Sequence, residues 1–384
     1  MRILHAVELY PPSVGGVQAV VRQVSERLVA RGHDVTVATG AHPDRTEKVI
    51  NGVKVAEFHV RGNEVRGMHG DVDGYRRYVE QGAFDVVMTY AAQQWTTDAL
   101  LPVVDRIRAR SVLAPCGFSA LHDPAYAPYF AHLGDDLRRF DELIFHSDSY
   151  QDIRFARDAG AERLTVIPNA ADEREFATPR PRGSFRSAHG IRPDEPLLLT
   201  VGGHTGLKGH AQSMAALRAS SRARTLAIVG NQPTGRGCLN LCRIRAAGTR
   251  LARRRVILSD PPRDQVLDAY ADADLFVFCS MVECSPLVLF ESIAAGLPFV
   301  SVDVGNAAEI AEWSGGGVVV PSRRRDDGLV KADVAAVAEA VDELLADPER
   351  RAEMAESGRR AWEERFTWHR VAGRYEELYE RVAA

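Results

Sequence analysis

Short β-branched runs alternate with helix-length amphipathic segments along almost the whole chain, which confines it to parallel sheets covered by helices. The first series opens with MRILHAVE and continues through DVTVATG, VKVAEFHV, FDVVMTY, SVLAPCG, LIFHS and LTVIP. Between its first two strands, residues 17–31 place Val17, Val20, Val21, Val24 and Leu28 on one helical face, and Gly32 ends the helix. A second series starts at LLLTVGG (197–203) and runs through TLAIVG, RVILSD, LFVFCS, FVSVD and GGVVVP. The stretch between them, PRPRGSFRSAHGIRPDEP (179–196), is rich in Pro, Gly and Arg, has no periodicity and reads as a linker. A length of 384 residues gives each series its own core. The expected division is therefore 1–178, a linker 179–196, 197–364, and a closing helix 365–384. That helix carries an apolar stripe of Trp368, Val371, Ala372, Tyr375, Leu378 and Tyr379 that must lie on something.

Composition narrows the function. The net charge of −4 implies no general affinity for nucleic acid. The chain opens directly on a strand, and no apolar run approaches the roughly 20 residues that cross a bilayer, so a cytoplasmic protein is expected. Five cysteines (116, 238, 242, 279, 284) suit a reducing compartment. Cys238 and Cys242, four apart on an expected helix, have the spacing of half a metal site, but with no histidine or second cysteine pair near them in the sequence they read as core thiols. All but four of the 48 basic residues are arginine, which makes each lysine informative.

The segment ECSPLVLFESIAAGLPF (283–299) holds the sharpest chemical signal. LFVFCS (275–280) is a buried strand, Glu283 lies on the loop after it, Ser285 suits an N-cap and Pro286 a first helical position. A helix from Pro286 to Ala295 follows, stopped by Gly296. Glu291 then lies in its second turn, about 9 Å along the axis from the loop acid, inside an apolar run where a carboxylate needs a partner. The free amides of Leu287 and Val288 and the positive end of the helix lie between the two acids and favour an anion. A ligand with hydroxyls at both ends and phosphates in the middle fits that layout. A core arginine pairing with Glu291, with Glu283 merely solvated, fits it as well.

Two more loops bear on the choice. VGGHTGLKGH (201–210) follows a strand and delivers Lys208 at the start of a helix, where an ammonium neutralises phosphate. It lacks the GxxxxGK[ST] spacing of an ATP-hydrolysing loop. PPSVGGVQ (11–18) places Gly15 and Gly16 where backbone amides approach an anion at the start of the first long helix.

Together these segments resemble the retaining glycosyltransferases of family 4. The resemblance spans the chain: PPSVGG…LVARGHDVTV, VIPNAADEREF, VGG…LKGH, the E-x7-E of ECSPLVLFE, AAGLPFVSVDVGNAAEI and the final FTW…Y helix. It implies a GT-B fold, two Rossmann-like parallel-sheet domains facing a cleft. The N-terminal domain would bind acceptor, the C-terminal domain would hold a nucleotide diphosphate sugar, and the last helix would cross back to the N-terminal domain. Position by position, it assigns Glu283 to the donor sugar, Glu291 to the ribose, Lys208 to the phosphates, Gly16 to the diphosphate, and the backbone of Pro261 to Arg263 to the base.

Two departures stand out. Family members carry an arginine five residues before the lysine; here the position is Gly203, followed by His204, which leaves diphosphate charge to Lys208 unless His204 or a distant arginine contributes. Many members also place a histidine after the strand that here is VLAP. Cys116 occupies the corresponding place and His122 follows six residues later; either residue, or neither, faces the reacting sugar. The family chemistry uses the departing phosphate to take the acceptor proton on the same face, so no second carboxylate base is required. No tightly bound cofactor is implied, and no metal site or metal requirement is expected. The Asp-x-Asp triplets at 71–73 and 272–274 read as solvated or capping carboxylates. The expected partners are a UDP- or GDP-sugar and a carbohydrate or small-molecule acceptor. The first 170 residues hold 19 basic and 22 acidic groups, so membrane docking is not indicated. A nucleotide-sugar epimerase of the same fold, or a non-catalytic nucleotide-sugar binder, are the rival readings.

Overall fold

The structure, a computed structural model, describes residues 1–231 and 237–384. It divides into two compact units, Met1–Asn169 with Trp368–Ala384, and Ala170–Thr367.

In the first unit an eight-stranded sheet runs in the order Leu164–Val166, Glu142–Phe145, Arg110–Ala114, Val86–Tyr90, Arg2–Ala6, Asp34–Gly40, Val53–Phe58, Val49–Ile50. All neighbours are parallel except the last pair. The central strands are buried on both faces, as continuous apolar runs such as VVMTY require. A small hairpin, Val60–Asn63 with Gly67–Gly70, lies outside the strand pattern legible in the sequence. The closing helix, Trp368–Ala383, packs on the Gly16–Ala30 helix, and all six stripe residues are buried. Polar contacts fix its position. Tyr379 Oη lies 3.0 Å from His5 Nε2, and His5 Nδ1 lies 2.7 Å from Ser25 Oγ. Glu376 pairs with Arg31 at 2.8 Å and with His33 at 2.7 Å.

The second unit is built on a wholly parallel six-stranded sheet. Its order is Arg255–Ser259, Thr225–Val229, Leu197–Val201, Leu275–Phe278, Phe299–Val302, Gly317–Val320. This is the doubly wound order, and its direction of winding reverses between Leu197–Val201 and Leu275–Phe278. Ligands of such sheets sit outside the carboxyl ends of the strands at that reversal. Inward-facing Leu199, Leu226, Phe276, Phe290 and Val300 form the core with the flanking helices.

Residues 179–196, read from sequence as a linker, are folded onto the second unit. They contain a short helix, Ser184–Ala188, whose first amides are capped by Asp272: Gly183 N donates to Oδ1, and Arg186 N to Oδ2 at 2.9 Å. The buried Arg186 guanidinium reaches Asp274 at 2.8 Å and the carbonyls of Arg192 and Glu195. The segment is held by these polar contacts and by two apolar anchors, Phe185 and Ile191, buried in the core of the second unit; two anchors six residues apart are too few to show as a period. The same contacts explain the 272–274 triplet, whose acids are structural. Asp71 of the other triplet caps its helix through Gly74 N at 2.9 Å.

Candidate active site

The two strands flanking the reversal each end in a loop, and the loops are bonded to one another. Met281 N donates to Leu207 O at 2.8 Å, and Ser280 Oγ to the same carbonyl at 3.3 Å. Gly209 makes this close approach possible. Its φ is +66°, and a Cβ there would stand 1.7 Å from the Cys279 carbonyl oxygen. The glycine after Lys208 therefore sets where the lysine points. Lys208 Nζ lies 2.6 Å from Glu283 Oε1, which also accepts from Ser280 Oγ at 2.7 Å.

Glu283 leads into the Leu287–Ala294 helix. Its N-cap is Pro286, with ψ of 115°, and not Ser285 as the sequence suggests. Ser285 Oγ is instead taken by Asn306 Nδ2 at 3.1 Å. The loop after Phe299–Val302 presses against this entrance, with Asn306 N donating to Cys284 O at 2.9 Å. The first amides of the helix, those of Leu287 and Val288, have no carbonyl within the helix to bond. At the far end Gly296, φ +66°, and the Leu297 N to Ser292 O bond close the helix.

Glu291 has protein partners. Tyr270 Oη donates to its Oε2 at 2.9 Å, and Arg263 donates to its Oε1. Arg263 also reaches Glu175 at 2.6 and 3.1 Å, so one guanidinium bridges two carboxylates. Of the two layouts the sequence left open, the arginine partner is present: a buried tyrosine and a half-exposed arginine hold Glu291. Burial, then the Glu291 charge, raises the Tyr270 phenol well above its usual value, so it stays a donor. Pro261 lies on the loop ahead of the Arg263–Asp272 helix, whose N-cap is Pro262. Sequence reasoning gave Arg263 only a backbone role and missed Tyr270 and Glu175. Tyr270 sits on the buried face of its helix, where the stripe reads as core.

In the first unit Gly15 is the N-cap of the Gly16–Ala30 helix in extended backbone, and a Cβ on Gly16 would meet nothing within 4 Å. Cys116, Gly117 and Phe118 all have positive φ (59°, 98° and 48°), directly after the Arg110–Ala114 strand. Ala91 and Gln93, after the adjacent Val86–Tyr90 strand, do too (71° and 64°). For the four non-glycine residues such backbone costs about 1–3 kcal/mol each and persists only where neighbours hold it. Here Asp152 accepts from Gly117 N at 2.8 Å, and Gln151 Nε2 donates to the carbonyls of Gly117 and Phe118. His122 lies on the turn that follows and is exposed.

Two family models account for most of the chain: "Glycosyl transferase 4-like domain" matches residues 15–170 and "Glycosyl transferases group 1" matches residues 181–361. The chain belongs to the family-4 glycosyltransferases. It is 26% identical to the D-inositol 3-phosphate glycosyltransferase of Xylanimonas cellulosilytica over 99% of this chain and 95% of that one. It is 27% identical to a GDP-mannose-dependent phosphatidylinositol monomannoside mannosyltransferase of Mycolicibacterium smegmatis over 96% of each. The crystal structure of Anabaena HepE in complex with UDP superposes with a TM-score of 0.76 at 17% identity, covering 99% and 100% of the two chains. The fold is thus GT-B, and the protein is a glycosyltransferase. Among the described residues no helix is long and apolar enough to cross a membrane.

One residue of this glycosyltransferase lies apart from its expected role. Gly203 remains on the strand-end loop, but His204 is buried, 2% exposed, with its ring centroid 4.7 Å from that of His210. It cannot offer its ring to a diphosphate in solution. Cys238 and Cys242, read as core thiols remote from any histidine, stand beside this pair, with Cys242 Sγ 4.0 Å from His210 Nδ1. The strand-end loop folds back on the Gly237–Thr249 helix, a tertiary proximity that spacing along the chain does not reveal. Burial lowers His210 to about 4 and His204 below its usual value, so both imidazoles are neutral at neutral pH.

Proposed function

We propose that the enzyme transfers a hexosyl group from a UDP- or GDP-sugar to a hydroxyl of a carbohydrate or small polar acceptor, with retention at the anomeric carbon. The observation that carries this reading is the Lys208–Glu283 pair at the reversal of strand order, at the amino end of the Leu287–Ala294 helix. Lys208 and the Leu287 and Val288 amides supply positive charge for the diphosphate as it leaves, each such donor being worth about 3 kcal/mol. Glu283, steered by Lys208 and Ser280, accepts from the sugar hydroxyls and positions the ring.

Glu291 takes the ribose diol. A carboxylate has about four acceptor positions, and Tyr270 and Arg263 occupy two, which orients the group and leaves the others for ligand. The bond from the anomeric carbon to the diphosphate oxygen breaks, the bond to the acceptor oxygen forms on the same face, and the acceptor proton passes to the departing phosphate. Gly15 and Gly16 offer backbone amides to the diphosphate, and Cys116 or His122 faces the reacting sugar. Support for the donor class comes from the relatives, one named for GDP-mannose and one holding UDP.

Thermal-shift measurements against a panel of UDP- and GDP-sugars test the donor, and NMR of the product made from an α-linked donor tests the stereochemistry. Stabilisation and an α-linked product are expected. Folded protein stabilised by no nucleotide sugar would sink the donor reading, and a β-linked product the retention.

A further inference from the structure

We propose that His204, His210, Cys238 and Cys242 form a structural zinc site. One ligand atom from each of the four lies within 4.8 Å of every other. The side chains come from two elements: His204 and His210 bracket the strand-end loop, and the two cysteines lie one turn apart on the Gly237–Thr249 helix. The spacings, H-x5-H and C-x3-C, are those of tetrahedral zinc sites.

The polar inventory points to a missing ligand. His204 Nδ1 and His210 Nε2 are buried without a hydrogen-bond partner, and the rings are 2% and 4% exposed. Buried imidazole nitrogens are rarely left unpaired in a folded protein. Both cysteines are free thiols. Two neutral imidazoles and two thiolates cancel the charge of a divalent ion, which suits a buried centre. The thiols release two protons as the two Zn–S bonds form. The absence of carboxylate oxygens from the set disfavours magnesium or calcium, and its mixed sulfur and nitrogen character suits zinc. Around zinc, bond lengths of about 2.0–2.3 Å bring donor atoms to roughly 3.5 Å, so the four close in by about 1 Å. A cavity of about 600 Å³ lined by His210, Cys238 and Cys242 gives the ion a way in.

The helix needs such an anchor. Among its described residues only Cys242 and Thr249 are buried, while Leu241 and Ile244 are 53% and 70% exposed. Four protein ligands leave no open coordination position, so the ion does not act on substrate. It fastens both ends of the loop that carries Lys208. This consequence, unlike the site, rests on the donor reading above.

Metal analysis of the full chain purified under reducing conditions tests the site directly. About one zinc per chain is expected. Stripping and refilling with cobalt should give the visible bands of a tetrahedral ion and the near-ultraviolet band of thiolate ligation. The Cys238→Ser and Cys242→Ser variants should each lose that ultraviolet band in part, and His204→Gln should lower zinc affinity at least tenfold. Folded wild-type protein that holds no zinc and gives no cobalt spectrum overturns the site, whether its thiols titrate as free or have joined in a disulfide. Removal of zinc should also weaken UDP or GDP binding about tenfold. If zinc binds but its removal leaves nucleotide affinity unchanged, while Lys208→Ala abolishes it, the link to the loop is wrong. If neither change alters nucleotide binding, it is the donor reading that fails.

Discussion

The Lys208 ammonium and the Glu283 carboxylate meet at 2.6 Å although 75 residues separate them, because the two strands that carry their loops are neighbours at the centre of the second sheet. The pair does two things at once. It keeps the cation at the amino end of the Leu287–Ala294 helix before any ligand arrives, and it holds the acid at one orientation.

Lys208→Ala should therefore lower kcat/KM for sugar transfer by about 10²–10³-fold, the loss of about 3 kcal/mol of leaving-group stabilisation. Glu283→Gln should slow turnover while leaving nucleotide binding within a few-fold. Steady-state kinetics with varied donor, together with nucleotide titration, separates the two. If Lys208→Ala retained the wild-type kcat/KM, the ammonium would have no part in departure of the diphosphate.

Tyr270→Phe removes one hydrogen bond to Glu291 and keeps the buried ring, which stacks on Phe276 at 5.7 Å. The fold should lose about 1 kcal/mol. Donor KM should rise several-fold with kcat little changed, because the ribose acceptor is misoriented and the reacting carbon untouched. A fall in kcat at unchanged KM would contradict the assignment of Glu291 to the nucleotide.

The fold was legible because parallel strands buried on both faces are predominantly apolar, as the four inner strands of the second unit's sheet are. The Lys208 and Glu283 loops were legible for the same reason: each follows such a strand directly. What the sequence concealed depends on tertiary folding. Arg263 bridges Glu175 and Glu291, which lie far to either side of it in the chain. His204 and His210 reach the cysteine pair only because the strand-end loop folds back on the Gly237–Thr249 helix. Residues 179–196 offered no apolar period, since only Phe185 and Ile191 of the segment enter the core and its other anchors are the acids Asp272 and Asp274.

Gly209→Ala places a methyl group against the Cys279 carbonyl and asks alanine for φ of +66°. The neighbour is backbone and cannot swing aside. Stability should fall by about 2–4 kcal/mol, read from the denaturant midpoint. Gly16→Ala is the contrasting case, since a Cβ there meets nothing within 4 Å. It should leave the midpoint nearly unchanged and, if Gly16 faces the diphosphate, should raise donor KM. Equal destabilisation by the two changes would contradict the local geometry.

Asp98 supplies a pH test of the first unit. Burial pushes its carboxyl up to about 6, even though Oδ2 accepts from Glu64 N and Oδ1 from Tyr129 Oη, each at 3.0 Å. Between the usual carboxylate value and about pH 6 the folded chain holds a proton that the unfolded chain has released. The stabilisation from protonated Asp98 is thus complete below about pH 4 and is lost as the pH rises through 6, an amount on the order of 3 kcal/mol. Asp98→Asn stays neutral throughout and lacks this component. Its amide has a single acceptor oxygen, so only one of the two bonds from Glu64 N and Tyr129 Oη is kept as it stands, which costs a constant offset. Urea unfolding of both proteins from about pH 4 to about pH 8 should therefore show the variant gaining on the wild type as pH rises, with the gain levelling off above pH 7. Parallel stability curves would mean that Asp98 ionises in the folded chain as it does in the unfolded one.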